Sequence, residues 1–138
     1  MFENILAPVK LTAPDEARKA VEVAGKLARD CDAWLTLATI APHWVVVKDA
    51  DYSWEARRWF EARAAAGLER LKAHIRPTRC RTLSRWGSVP GSILHIAEEI
   101  RADVIVLPAR EPALVDLLYQ PEPIRIAAKA SCSVVLVR

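Results

Sequence analysis

The chain has 138 residues, of which 52% are hydrophobic and 27% are charged, close to the averages of single globular domains. This composition excludes a disordered tail, a collagen-like repeat and a small disulfide-bonded scaffold. Its 20 basic and 17 acidic residues give a net charge of +3, which neither requires nor excludes an anionic partner. The longest run without a charged residue, 33–47, contains Pro42 and is shorter than the ~20 apolar residues of a membrane helix. No basic segment opens the chain, so we expect no signal peptide and a cytoplasmic location.

Short apolar runs alternate with longer amphipathic stretches along the chain. The apolar runs predict five strands, at residues 5–9, 33–41, 79–86, 103–108 and 133–138. The amphipathic stretches predict four helices: one that starts after Thr12, one over about 52–75, one that follows a turn at 87–92, and one near 124–130. This alternation is typical of βαβ crossovers. We therefore expect one doubly wound α/β domain over residues 1–138, with a parallel sheet covered by helices on both faces.

Tryptophan is the commonest aromatic residue, with five of the nine aromatic positions. Trp59 lies at helical spacing with Ala64 and Leu68 in the second predicted helix, so we expect it in the core. Trp44 and Trp54 bracket the segment after the second strand. They are either exposed interface residues or a cover for the upper end of the sheet, and the second interpretation is favoured.

Three segments, in this order and spacing, resemble one known family. Residues 4–9 are NILAPV, residues 85–94 are RWGSVPGSIL followed by DVIVL at 103–107, and residues 124–138 are IRIAAKASCSVVLVR. They are similar to the "KILVPVD", "GDPAEEI … DLIVMG" and "ERVLRHAPCPVLVVR" segments of the universal stress protein family. The resemblance covers essentially the whole chain. It implies a Rossmann-like (flavodoxin-like) sheet of strand order 3-2-1-4-5 with two helices on each face, and a ligand crevice lined by residues 10–13 and 108–112.

The chain departs from the pattern of those family members that bind ATP. They carry an Asp after the first strand, and after the fourth a Gly, two residues, Gly, nine residues, Gly and Ser or Thr. Here the Asp position is Lys10, the residue after the fourth strand is Pro108, and Glu111 stands near the second glycine. Gln120 replaces the last glycine, and no glycine follows Gly91. We therefore predict a member that has no cofactor and does not bind ATP in the family manner.

Lys10 and Arg110 are both expected near the crevice, where two cations attract a small anion or an acidic side chain of a partner. Lys10, Thr12 and Arg110 are therefore the candidate ligand-binding residues. Solvated loop charges remain the favoured interpretation of this group.

Two classes of function remain open. The first is a stress-response or regulatory protein that acts as a homodimer through an unknown protein partner, which the Trp-rich, glycine-poor upper face favours. The second is a sensor that uses the crevice for a small molecule or anion, nucleotides included. We expect no enzyme, because the carboxylate pair Asp15 and Glu16 falls in the first turn of a predicted helix and no GxSxG, HExxH or P-loop motif occurs.

Four arginines, Arg76, Arg79, Arg81 and Arg85, with Trp86 nearby, resemble a surface for single-stranded nucleic acid. Because three of them alternate along one predicted edge strand, a solvated strand face is the favoured interpretation and we expect no nucleic-acid partner. The three histidines are scattered without Cys or carboxylates at ligand spacing, so we expect no metal site.

The cysteines Cys31, Cys80 and Cys132 form no CxxC pair. Cys31 and Cys80 are both expected near the amino ends of the neighbouring second and third strands. A disulfide between them is open, and free buried thiols are the favoured interpretation.

The family resemblance also implies a homodimer in which the last strand pairs antiparallel with its copy in the partner. Val134, Val135, Leu136 and Val137 would form that interface. An apolar edge strand of this kind promotes aggregation unless it is paired, and a two-fold contact satisfies its hydrogen-bonding groups.

Overall fold

A computed structural model of the chain describes residues 1–11, 14–41, 53–77, 79–109 and 122–138, and for residues 14–16, 53, 54 and 56 only the backbone. Within these ranges five strands form one sheet. They are β1 (Asn4–Pro8), β2 (Trp34–Ala41), β3 (Arg79–Trp86), β4 (Val104–Pro108) and β5 (Ser133–Val137). Their spatial order is β3-β2-β1-β4-β5, and every neighbouring pair is parallel. The predicted fold class and strand order are confirmed.

The helices of the described chain are α1 (Pro14–Cys31), α2 (Ser53–Ile75), α3 (Val89–Glu99) and α4 (Glu122–Lys129). Their positions agree with the sequence prediction, with one difference. α3 begins inside the predicted turn at 87–92, because a proline in the first helical turn gives up a backbone N–H that would have no partner there. Pro77 follows the end of α2, as expected for a residue that cannot continue a helix.

The helices cover the sheet in two pairs, as the resemblance implied. On one face, α1 and α2 pack over a core that includes Ile5, Leu35 and Val106. On the other face, α3 and α4 pack over Leu6 and Ile105. Consecutive residues of β1 and β4 thus point to opposite faces and are buried on both. This is why their sequences are continuously apolar rather than alternating.

Trp59 was expected in the core, and this prediction is wrong: the residue is 63% exposed. The buried residues of α2 include Ala64, Leu68 and Ile75, which lie within about 40° of one another around the helix axis at 100° per residue. Trp59 precedes Ala64 by five residues and so lies about 140° away from that face. Its ring packs instead under the guanidinium of Arg63, 4.6 Å from the ring centroid.

The amino ends of β1 and β4 are joined by one carboxylate. Asp103 accepts hydrogen bonds from the backbone N–H groups of Glu3 (2.6 Å) and Asn4 (2.8 Å). These two bonds hold its pKa below the usual value of 3.8. Its own backbone donates to the Asn4 carbonyl and accepts from the Ser133 N–H, so Asp103 also joins β5 to this end of the sheet.

Backbone hydrogen bonds show which groups of the two edge strands point outward. In β5 the N–H of Ser133 and the carbonyl of Val137 bond toward β4. Because the direction alternates along a strand, the backbone groups of Val134 and Leu136 point away from the sheet. In the same way, the backbone N–H of Gly87 bonds to the carbonyl of Ala41 in β2. The backbone N–H and C=O groups of the even-numbered residues of β3 therefore point away from the sheet.

Candidate ligand pocket at the carboxyl ends of the strands

A pocket of about 270 Å³ opens where the strand order reverses, between β1 and β4. The carboxyl ends of β1, β2 and β4 and the first residues of α3 and α4 form its walls. Of the lining residues that the structure describes, two are charged, Lys10 and Glu122, and ten are apolar: Pro8, Val9, Ala38, Ile40, Val89, Ile93, Leu107, Pro108, Pro123 and Ile126. This position is the switch-point crevice that the sequence predicted.

The floor of the pocket is part of the hydrophobic core. Ala38, Ile93, Leu107 and Ile126 all belong to the cluster between the sheet and the pair α3 and α4, and each is at most 4% exposed. Side chains held in a close-packed core keep one position, so the apolar wall is formed before any ligand arrives.

Prolines occupy positions where a phosphate site needs backbone N–H groups. Pro8 and Pro108 end β1 and β4, and Pro123 lies in the first turn of α4. Proline has no N–H, so none of these three positions donates a hydrogen bond to a ligand. The first turn of α3 likewise contains Pro90. Two helices therefore begin at this end of the sheet with fewer donors than an anion-binding helix start offers.

The charges of the pocket are one lysine and one glutamate. Lys10 is exposed and follows β1, whereas Glu122 is half-buried and opens α4. Within the described ranges neither side chain has an ion pair or a hydrogen bond. Both charges are thus available to a ligand, and formally they cancel.

Of the three residues predicted to bind a ligand, the structure places Lys10 in the pocket wall. Thr12 and Arg110 lie outside the described residues, as do Glu111, Gln120 and Trp44, and the predictions made for them stay predictions. For Trp54 only the helical backbone is described.

Sequence reasoning missed both Glu122 and Ile93 as lining residues. Both come from the α3 and α4 side of the pocket. The available signal was their position at the start of a helix that follows a strand, because such helix starts border the carboxyl edge of a parallel sheet.

The arginines of β3 are engaged within the protein. Arg81 lies over the ring of Trp34, 4.6 Å from its centroid. Arg85 is 3.3 Å from the Glu99 carboxylate and Arg79 is 3.6 Å from that of Asp32. These contacts support the interpretation of β3 as a solvated strand face.

All three cysteines are free thiols, and each is half-buried rather than fully buried as expected. Burial raises the pKa of Cys80 to about 11, although the nearby Lys72 acts in the opposite direction. Burial also raises the pKa of Cys132. Among the described residues no group of three or more His, Cys, Asp or Glu is arranged to hold a metal ion, and no helix is long and apolar enough to cross a membrane.

The sheet order, the paired helices and the pocket at the switch point define the protein as a doubly wound α/β domain with a pocket at the carboxyl ends of its strands. The sequence profile of the Universal stress protein family matches residues 1–138, and the chain belongs to this family. It is 28% identical to Universal stress protein G of Escherichia coli O157:H7 over 143 aligned residues, which cover 100% of both chains.

Solved structures of the family share the fold. The universal stress protein UspA from Lactobacillus plantarum superimposes with a TM-score of 0.80 at 20% identity, covering 99% of this chain and 97% of that one. A universal stress protein crystallised in complex with cAMP superimposes with a TM-score of 0.76 at 20% identity and the same coverage. At these identities the likeness concerns the fold.

Proposed function

We propose that this member of the universal stress protein family acts as a homodimer through protein partners in the cytoplasm, has no enzymatic activity, and does not bind ATP in the family manner. Family membership supports a stress-response role. The finer statements rest on the pocket and on the strand β5.

The observation that carries the ATP part of the proposal is the composition of the pocket. Pro108 and Pro123 have no backbone N–H to donate, and Glu122 places a carboxylate at the start of α4. A triphosphate carries several negative charges and needs N–H donors or cations around each phosphate. With Lys10 as the one cation among the described lining residues, the pocket opposes such a ligand.

The homodimer part is supported by the chemistry of β5. The strand ends the sheet, its residues Val134 to Val137 are apolar, and Leu136 is 42% exposed. Outward N–H and C=O groups at Val134 and Leu136 are ready to pair with a second strand. An antiparallel contact with the β5 of a second copy is self-complementary and closes the assembly at two subunits.

Calorimetric titration with ATP and, because one relative by fold was crystallised with cAMP, also with cAMP tests the nucleotide statement. We expect no heat of binding from either, and native mass spectrometry of the purified protein should show a dimer without a bound nucleotide. ATP binding with micromolar affinity would contradict the proposal, because the pocket would then hold phosphates without the glycine motif.

A second candidate function is favoured by the pocket itself. A preformed apolar cavity of about 270 Å³, whose two charged wall residues have no partner within the described ranges, is a feature of small-molecule sites. A sensor that binds a molecule other than ATP and passes its presence to a protein partner is compatible with the dimer. Detection of a ligand that co-purifies, by mass spectrometry under native conditions, would favour this function over a purely structural crevice.

A further inference from the structure

The size of the pocket limits its ligand to a compact molecule. Its volume of about 270 Å³ lies just below the roughly 300–1,000 Å³ of ordinary ligand pockets. The floor cannot retreat to make more room, because Ile93, Leu107 and Ile126 are buried in the core beneath α3 and α4.

The walls favour a hydrocarbon body over a polar one. Ile40, Ile93 and Ile126 offer only methyl and methylene groups, and Pro8 and Pro108 present ring carbons without an N–H. A sugar or a phosphate in this space would lose hydrogen bonds to water and meet few donors along the described walls, which costs binding energy for every group left unpaired. An aliphatic or aromatic body gains from the same walls.

The charges select the polar end of the ligand. Lys10 stands at the mouth of the pocket without a partner among the described residues, so one carboxylate can pair with its ammonium group. Glu122 repels further negative charge, and this penalty grows with each additional anionic group of the ligand. A single negative charge close to Lys10 is therefore the arrangement that the wall tolerates best.

We propose that this pocket binds a compact apolar monocarboxylate, with its hydrocarbon part among Ile40, Ile93 and Ile126 and its carboxylate on the ammonium group of Lys10. The inference rests on the second candidate function, the small-molecule sensor, and names the class of molecule that it senses. It does not depend on which protein receives the signal.

Methyl NMR of the full chain, labelled at the isoleucine δ1 carbons, tests the location of binding. Hexanoate is the probe, and hexanol is the control of matched length without the charge. We expect hexanoate to shift the methyl signals of Ile40, Ile93 and Ile126, which line the pocket. Ile5 and Ile75 belong to the core on the other face of the sheet, and their signals should stay in place.

Charge variants test the recognition of the carboxylate. Lys10→Gln should weaken hexanoate binding about tenfold, the low end for a charge-assisted hydrogen bond, because Lys10 is exposed to water. Hexanol, which carries no charge, should bind the natural protein and the Lys10→Gln variant with the same low affinity. Lys129→Gln, a matched change at the far end of α4, should leave hexanoate binding unchanged. Glu122→Gln should bind hexanoate more tightly than the natural protein.

Three results would overturn this inference. They are the absence of hexanoate-induced shifts at millimolar concentration, shifts of Ile5 and Ile75 as large as those in the pocket, and equal binding by Lys10→Gln. None of these results bears on the proposal of a dimer that does not bind ATP, since the ATP titration and the oligomeric state test that proposal separately. Conversely, ATP binding in the titration would contradict the dimer proposal without deciding whether the pocket binds hexanoate.

Discussion

β3 and β5 are both edge strands of the sheet, but their side chains differ in chemistry: those of β3 include charged residues and those of β5 are mostly apolar. β3 carries Arg79, Arg81 and Arg85, and each guanidinium has a partner on a neighbouring element. β5 carries four consecutive apolar residues, 134–137, and one of them, Leu136, is 42% exposed. Charged side chains on an edge keep other strands away, whereas an apolar edge attracts them. The difference supports the proposal of a dimer through β5 rather than through β3.

Side chains of α2 cover the face of β3 that lies toward this helix. Phe60 of α2 packs against Trp86 at the end of β3, with 4.9 Å between the ring centroids, and Arg57 lies over the same indole at 5.3 Å. Aromatic pairs of this kind contribute beyond the area that they bury. β3 is therefore held by its own domain on both faces.

The largest expected effect is the loss of the dimer when a proline is placed in β5, and the same substitution in β3 serves as the comparison. Leu136→Pro removes an N–H that points out of the sheet, so it should leave the bonds between β5 and β4 in place and abolish the dimer. Thr82→Pro makes the same change at an outward position of β3 and should leave the dimer intact. Light scattering coupled to size-exclusion chromatography measures the mass of both variants.

If the Leu136→Pro variant is still a dimer, the proposal of β5 as the interface is contradicted. If the Thr82→Pro variant is a monomer, the interface lies at β3 instead. Val135→Pro is the less suitable variant, because the N–H of that residue points toward β4. It should lower the stability of the fold as well as the association, with monomer or aggregate as the result.

The shielding of β3 by its own domain should also slow the chemistry of its thiol. With a pKa of about 11, Cys80 is protonated near neutral pH, and only the thiolate reacts with iodoacetamide. At about pH 8, alkylation of Cys80 should be on the order of a hundredfold slower than that of free cysteine. The measurement is mass spectrometry over time on the double variant Cys31→Ser, Cys132→Ser. A rate equal to that of free cysteine would show that α2 does not cover this strand.

The Asp103 carboxylate joins the amino ends of β1 and β4, and its contribution should appear in the pH profile of stability. Because two N–H donors lower the pKa of Asp103, its contribution is complete above 3.8 and is lost as the pH falls through the folded-state value. Asp103→Asn should reduce the free energy of unfolding by about 1 kcal/mol at about pH 6, a modest figure for an exposed group. Urea titrations at several pH values measure this difference, which should shrink on acidification below 3.8. A difference that does not change with pH would contradict the role of the charge.

The smallest expected effect belongs to the contact between Arg81 and Trp34 on β3. Arg81→Ala should cost about 0.5–1 kcal/mol of stability, the range for an exposed cation and an aromatic ring. Arg70→Ala, at an exposed arginine of α2 without a partner among the described residues, is the matched control. Equal urea midpoints for the two variants would show that the contact contributes nothing to the edge.

The fold was predictable because hydrophobic periodicity and turn residues are local signals. Apolar runs such as 104–107 are buried on both faces, and few structures other than a covered parallel strand produce that pattern. The expectation for Trp59 failed although its spacing carried the answer. At 100° per residue Trp59 lies about 140° from Ala64, so helical geometry places the two residues on different faces of α2.

The pocket was partly predictable. Lys10 follows the first strand directly, so the sequence position places it at the carboxyl edge. Glu122 comes from a helix that follows β4 by more than ten residues, and no local pattern tells which way the start of that helix faces. Its presence in the wall next to Pro108 is a result of packing between distant segments.

Consecutive residues were enough to predict the element order and, through the family resemblance, the strand order, and they also show that no glycine follows Gly91. Packing placed Lys10 and Glu122 in one apolar pocket, paired the arginines of β3 and left Leu136 exposed. Burial and charge pairing depend on which surfaces meet after packing, and these contacts join residues far apart in the chain.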